Sequence, residues 1–344
     1  MPFQDLESLI DERIAWVDDE LRALLRPAAE EPAVYAMLRY HLGWTDAAGE
    51  AVSAAKARRF GGKRLRGVLA ILACEACGGA GPVAVPAGGA VELIHNFSLI
   101  HDDIEDEDEE RRHRPTVWRL WGVPQAINAG SLMQALVNRA ALGLSERGAP
   151  LPAVLDAMRL LTDTIILMTE GQCLDLTFQD RADVDAAGYF AMTERKTAAL
   201  LAAAMESGAR VAGAAGERAR LLARFGRAFG LAFQARDDYL GVWGDPAVTG
   251  KPVGSDIERG KRSLPVVLAL SHSPDPARLL CQLKARDTAA VLAAMDTFGV
   301  RAEVEATVGR LTADALGYLE ALGDAGDAGR ALVSIARAAL GRVQ

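Results

Sequence analysis

Eight of the nine residues from Asp102 to Glu110 are acidic, and Arg111, Arg112, His113 and Arg114 follow at once, in the stretch HDDIEDEDEERRHRP. Carboxylates hold hard cations and guanidinium groups hold anions, so these residue types allow a cation site beside an anion site. A charge run is more often a solvated face, so the residues before it must decide. Val91, Leu93, Ile94, Phe97, Leu99, Ile100 and Ile104 make VELIHNFSLIHDD apolar over most of a helical circumference, which predicts a buried helix. On it His95, Ser98, Asp102 and Asp106 fall at i, i+3, i+7 and i+11, one narrow polar stripe at about 100° per residue. Ionised carboxylates there need cations or a wet cavity. Asp102 and Asp106, one turn apart, are spaced to share a divalent cation, with Mg²⁺ the natural choice for oxygen ligands. Glu107 to Glu110 read as flanking, solvated charge.

Other uses of these letters fit less well. Asp106, Asp108 and Glu110 resemble the start of an EF-hand loop, but Arg111 stands where its turn glycine belongs. His95 and His101 are six apart and cannot share a helix face as metal ligands. A second acidic face does exist, in AFGLAFQARDDYLGVWGDPAVTGKPVGSDIERGKRSLP from Ala228. Phe225, Phe229 and Phe233 mark an apolar helix that meets Asp237 and Asp238, with Gln234 on the same face. That helix is predicted to stop near Gly244-Asp245-Pro246, and Lys251, Asp256, Lys261 and Arg262 follow in the loop beyond. Two acidic faces on buried helices, each beside Lys or Arg, point to several metal ions clamping a polyanion such as a diphosphate.

The elements that must carry these residues are helical. Ala, Leu, Arg and Glu dominate long periodic stretches, aromatics are 6% of the chain, and no alternating strand pattern stands out. Breaks are predicted near RPAAEEP (26–32), GGAGPVAVPAGG (78–89), RGAPLP (147–152), GAAGE (213–217), GDPAVTGKPVG (244–254) and SHSPDP (271–276). The polar clusters run from Gly61 to Arg262 with no linker, so residues 1–344 are expected to form a single all-α domain with a central site. A net charge of −8 argues against a nucleic-acid binder. The acidic N-terminus lacks a signal peptide's basic start, and prolines, glycines and Glu75 interrupt residues 67–94, so no membrane span and a cytoplasmic location are expected. Cys74 and Cys77 have no second Cys/His pair at zinc spacing and read as buried helix cysteines.

DDIEDEDEERRHRP resembles the first aspartate-rich motif, DDxxD-x4-RR, of the trans-isoprenyl diphosphate synthases, and QARDDYLGVWGDPAVTGKPVGSDIERGKRSLP resembles their second. GGKRLRG (61–67), HNFSLIHDD (95–103), EGQCLDL (170–176) and ERKTAAL (194–200) follow the family's order. The resemblance implies an isoprenoid-synthase helical bundle, expected as a homodimer. In it an allylic diphosphate ionises and isopentenyl diphosphate attacks the cation. Asp102 and Asp106 match positions that hold two Mg²⁺ on the donor's diphosphate; Asp237 matches the ligand of a third, with Asp238 in or near its shell. Arg111, Lys196, Thr197, Gln234, Lys251 and Lys261 match contacts to the donor, and Gly62, Lys63, Arg66, His95 and Arg112 match the isopentenyl diphosphate site.

Two departures stand out: Gly241 replaces the last aspartate of the second motif, and Ser131 stands where the family commonly has aspartate. Family members with a bulky residue just upstream of the first motif stop chain growth there. Phe97 beside the small Ser98 resembles the C20 pattern, with C15 next. On the helical wheel, however, Ser98 lies on the site's stripe and Phe97 about 100° away. A class I terpene cyclase and a non-catalytic subunit are the alternatives. Asp237-Asp238 with GGKRLRG argues against the cyclase, and only Gly241 and Ser131 favour the subunit.

Overall fold

The computed structural model describes residues 3–26, 32–214, 216–246 and 252–341. The helices in order are α1 (Phe3–Leu24), α2 (Ala33–His41), α3 (Ala54–Gly61), α4 (Leu65–Ala76), α5 (Gly81–Glu105), α6 (Val117–Trp121), α7 (Val123–Glu146), α8 (Leu151–Phe178), α9 (Ala186–Thr193), α10 (Ala199–Val211) and α11 (Glu217–Trp243). Then come α12 (Ser255–Glu258), α13 (Leu264–His272), α14 (Pro276–Lys284), α15 (Thr288–Thr297), α16 (Val300–Leu322) and α17 (Gly326–Leu340). The chain is all-α, as expected, apart from one hairpin of β1 (Glu110–Arg111) and β2 (Arg114–Pro115) among the described residues.

The chain divides into two compact units. The first comprises residues 1–162, 203–220 and 324–332; the second comprises 163–202, 221–323 and 333–344. In the first, α5 is the central element, with Val91, Leu93, Ile94 and Ile100 at most 1% exposed. The break predicted over 78–89 is present but shorter, ending at Ala80: α5 begins at Gly81 and passes straight through Pro86. Its glycines serve packing instead. A Cβ on Gly88 would lie 2.8 Å from the carbonyl oxygen of Gly67, so α4 and α5 cross with their backbones almost touching. Among the described residues α5 is the one helix long and apolar enough to cross a membrane, yet 78% of its apolar window is buried inside the fold. Cys74 is buried, and burial first of all pushes its thiol up to about 12, so it is inert packing.

In the second unit Phe225 and Phe229 stack at 5.6 Å on α11 and are fully buried, which fixes the helix that carries the second acidic pair. A five-residue π-helical turn, Glu194–Ala198, interrupts the passage from α9 to α10. Such turns concentrate at functional sites because they re-aim side chains.

Candidate active site

The first unit holds the first acidic cluster. α5 ends at Glu105, and Asp106 closes it: its N–H donates to the Asp102 carbonyl at 2.8 Å, which keeps the two residues one turn apart. The Glu107 and Asp108 N–H groups donate back to Ile104 (3.3 Å) and Asp103 (2.9 Å), a Schellman closure. Its left-handed position is taken by Glu107 at φ 54°, where glycine is preferred. Asp102 is half-buried and Asp106 exposed.

Asp103 lies off the stripe of His95, Ser98, Asp102 and Asp106. It is 1% exposed and accepts from Arg111 Nε at 2.7 Å. Burial outweighs that partner and raises its carboxyl to about 6. A signal was available: Glu92, Asn96 and Asp103, at i, i+4 and i+11, form a second polar stripe, all of it buried.

Arg111 and Arg112 sit on the hairpin, paired Arg111 to Arg114. Its two-residue loop, Arg112 at φ 53° and His113 at φ 61°, has the positive angles of a type I′ turn without its usual Asn-Gly. Strain of this kind persists only where surrounding contacts over-determine it. Here Arg112 Nη1 donates to the Phe60 carbonyl at 2.8 Å. A Cβ on Gly62, itself at φ 81°, would lie 2.7 Å from Arg112 Nη2, so glycine at 62 makes room for the guanidinium. Below the hairpin, Arg66 Nη1 lies 3.2 Å from His95 Nε2. Burial first, then Arg66, Arg112 and Arg111, holds His95 well below its usual range, so its ring is neutral and Nε2 is the acceptor. Burial, then Arg64 and Arg111, lowers Arg112 to about 10. Cations that depress one another's protonation create a field suited to a bound anion. A cavity lined by Tyr40, His41, Phe60, Arg111, Arg112 and Arg114 opens beside them. Lys63 is exposed and Arg66 half-buried. Phe97 is 7% exposed with its ring edge-on to His101 at 6.0 Å, and Ser98 Oγ donates to the His95 carbonyl at 2.9 Å.

The second unit holds the other cluster. Asp237 is exposed on α11, whereas its neighbour Asp238 is 6% exposed and turned inward, so the two do not share a face as the sequence reading had them. Asp238 accepts three hydrogen bonds, from Tyr189 Oη (2.6 Å), the Leu264 N–H (2.7 Å) and Gln234 Nε2 (2.9 Å). Burial nevertheless raises its carboxyl to about 7. Tyr189 and Leu264 are long-range partners that no local pattern announces. Thr197 Oγ1 reaches Gln234 Oε1 at 3.2 Å, so Thr197, Gln234 and Asp238 form one chain of contacts.

Lys196, on the π-helical turn, is ion-paired with Asp175. Asp175 lies in EGQCLDL, where sequence reasoning assigned no charge partner. The glycine of that motif has its own reason: a Cβ on Gly171 would lie 2.4 Å from the Lys196 amide nitrogen. Lys261 is exposed, and its N–H donates to the Asp256 carbonyl at 2.9 Å. Lys251 lies outside the described residues. Ser131 is exposed on α7, a position where a change of polar side chain disturbs no packing.

Among the described residues no three His, Cys, Asp or Glu side chains cluster tightly enough to hold a metal by themselves. That fits Mg²⁺, which commonly takes one or two carboxylates and completes its shell with water and substrate phosphates. Asp102 with Asp106, and Asp237, are hard-oxygen donor sets of that incomplete kind.

The family model described as polyprenyl synthetase matches residues 52–297. A (2E,6E)-farnesyl diphosphate synthase of Mycobacterium tuberculosis is 40% identical over 83% of this chain and 77% of its own length. A geranylgeranyl diphosphate synthase of the same organism is 41% identical over 72% and 68%. The crystal structure of a polyprenyl synthetase from Streptomyces coelicolor A3(2) matches with a TM-score of 0.84 at 37% identity, covering 96% of this chain and 99% of that one. The chain belongs to the polyprenyl synthetase family and is an enzyme of the polyprenyl diphosphate synthase type.

Proposed function

We propose that the enzyme condenses isopentenyl diphosphate with an allylic diphosphate to give a short all-trans prenyl diphosphate, with the C20 product favoured over C15. The observation that carries this is the pairing of an Asp102/Asp106 carboxylate turn with a strained hairpin presenting Arg111 and Arg112 directly beyond it. Asp102, Asp106 and Asp237 would hold Mg²⁺, three ions by family resemblance, with Asp238 supporting Asp237. Bound Mg²⁺ supplies electrostatic stabilisation of a departing diphosphate. Arg111, Lys196, Thr197, Gln234, Lys251 and Lys261 bind the allylic donor. Gly62, Lys63, Arg66, His95 and Arg112 bind isopentenyl diphosphate, with neutral His95 orienting Arg66. Apolar side chains of the core keep water from the carbocation.

For product length the named relatives include both farnesyl and geranylgeranyl synthases, and buried Phe97 beside Ser98 supports the C20 choice. The family match covers parts of both compact units, which supports one functional domain over 1–344. The enzyme acts as a cytoplasmic homodimer in this reading. Supporting the dimer, Leu142 (53%), Leu151 (66%) and Leu155 (54%) are exposed on α7 and α8.

The test is incubation of purified enzyme with Mg²⁺, isopentenyl diphosphate and C5, C10 or C15 allylic donors. Longer diphosphates support elongation, a hydrocarbon formed from donor alone means a terpene cyclase, and no turnover by folded protein means a non-catalytic subunit. Light scattering of the same sample reads the oligomeric state.

A further inference from the structure

Four arginines act on one another around the start of α4 and the hairpin, and two of them have a carboxylate of their own. Arg64 Nε donates to Asp18 Oδ1 at 3.1 Å, and Arg111 Nε to Asp103 Oδ1 at 2.7 Å. Arg66 and Arg112, the pair assigned above to isopentenyl diphosphate, rest instead on His95 and on the Phe60 carbonyl, and neither makes an ion pair among the described residues. On α5, Glu92 is 3% exposed and also makes no ion pair among the described residues. Resting on that reading of the site, we propose that Glu92 is a positioning residue for its isopentenyl diphosphate half: a buried counter-charge that acts through Arg66 and Arg112 and tempers their hold on a diphosphate, so that the product can leave.

Glu92 Oε1 accepts from the Gly67 N–H at 3.0 Å. Gly67 lies in the first turn of α4, whose N-cap residue, Arg64 at φ 48°, offers no side-chain cap of its own. Glycine at 67 admits the carboxylate, since a Cβ there would lie 3.0 Å from Glu92 Cγ. Capping explains an acceptor at position 92 but not a charge. The side-chain amide of glutamine would accept the same bond, whereas a carboxylate held out of water with no paired cation is costly. The α4 dipole offsets only a part of that cost. The charge is felt at the two guanidinium groups that lack an ion pair. Burial first of all lowers Arg66 below its usual value, and Glu92 acts against it. On Arg112 burial, then Arg64 and Arg111, act downward, and Glu92 again acts upward. The same negative charge weakens the field that these cations present to an anion. On the reaction proposed above, the donor's C–O bond breaks and its diphosphate departs, whereas isopentenyl diphosphate keeps its own diphosphate and passes it to the product. The anion bound by Arg66 and Arg112 is therefore the product's handle. Holding it as tightly as unopposed cations allow would slow its exit, and release sets the turnover of many enzymes. The competing explanation is the cap alone, in which the charge on Glu92 is immaterial.

The experiment measures isopentenyl diphosphate binding to the full-length enzyme by calorimetry in EDTA, with single-turnover and steady-state rates in Mg²⁺ and thermal melts alongside. Glu92→Gln keeps the acceptor for the Gly67 N–H and removes the charge. Glu92→Asp keeps the charge and withdraws the acceptor. Arg112→Gln checks the assignment of the site itself. Glu92→Gln should bind isopentenyl diphosphate roughly tenfold more tightly, the scale expected of one unit charge acting on a partly buried anion. Its KM should fall and its single-turnover rate should hold, while kcat falls severalfold because release slows. Glu92→Asp should stay within about twofold of wild-type affinity, since the charge remains. Wild-type or weaker binding in Glu92→Gln, or tighter binding with an unchanged kcat, would overturn the inference; loss of binding in Arg112→Gln would then leave the site reading standing. Unchanged binding in Arg112→Gln would overturn both. Should Glu92→Gln fail to fold, Glu92→Asp decides: wild-type affinity supports the charge, and a folded variant that binds roughly tenfold worse shows that the cap governs the site and overturns the inference.

Discussion

Tyr189→Phe removes a single oxygen, and its effect should depend on pH in a way packing cannot imitate. The hydroxyl donates at 2.6 Å to Asp238, which is 6% exposed and raised to about 7 by burial. Between the unfolded carboxyl value near 3.8 and the folded value near 7, the native state binds more protons than the unfolded state. Stability of the metal-free protein therefore falls as pH rises through that window, by an amount on the order of 4 kcal/mol for the whole shift. Above it the buried carboxylate is charged and depends on its three donors. Losing one of them should then cost about 1.5–3 kcal/mol, as for hydrogen bonds to charged groups. Below about pH 6 the carboxyl is protonated, and the lost bond is a neutral one contributing about 1 kcal/mol. Circular-dichroism melts in EDTA at acid and alkaline pH read the difference. The melting point of Tyr189→Phe should drop by a few degrees at pH 8.5 and distinctly less at pH 5.5, at roughly 1–2 °C per kcal/mol for a chain of this size. Equal losses at the two pH values, or a larger loss in acid, would refute a charged Asp238 held by Tyr189.

Asp102→Ala and Asp237→Ala should each lower kcat by several orders of magnitude in a steady-state assay while the melting point holds; near-normal turnover would sink the metal assignment. Phe97→Ala should shift products beyond the wild-type length in chromatographic analysis, and an unchanged product would remove Phe97 as the residue that stops chain growth. His113 is exposed at φ 61°, so His113→Gly should stabilise the protein by about 1 kcal/mol in thermal melts by relieving left-handed strain. Gly171→Ala should instead destabilise and raise KM for the allylic donor. Its new methyl would sit 2.4 Å from the Lys196 amide nitrogen, a backbone atom that cannot move without displacing the Lys196–Asp175 pair.

What the sequence determined by itself was local. Helical periodicity put His95, Ser98, Asp102 and Asp106 on one stripe; α5 carries the first three and Asp106 caps it one turn on, because 3.6 residues per turn is a property of the backbone and not of its surroundings. The apolar flanks of that stripe and the Phe225/Phe229 spacing marked the buried helices, since only burial rewards such composition. Ordered motifs then named the family. Tertiary structure decided whatever depends on segments meeting across long separations. It turned Asp238 inward onto Tyr189 and Leu264, 49 and 26 residues away, and left Asp237 outside. It anchored Arg112 on the Phe60 carbonyl, 52 residues away, and so held Arg112 and His113 in a turn their own preferences oppose. It carried a helix through Pro86 from Gly81 onward, where Gly and Pro promised a break, and the close approach of α4 and α5 needs Gly88. And it placed Asp256 against Gly241. Two residues fifteen apart in sequence share that space only once the chain has folded.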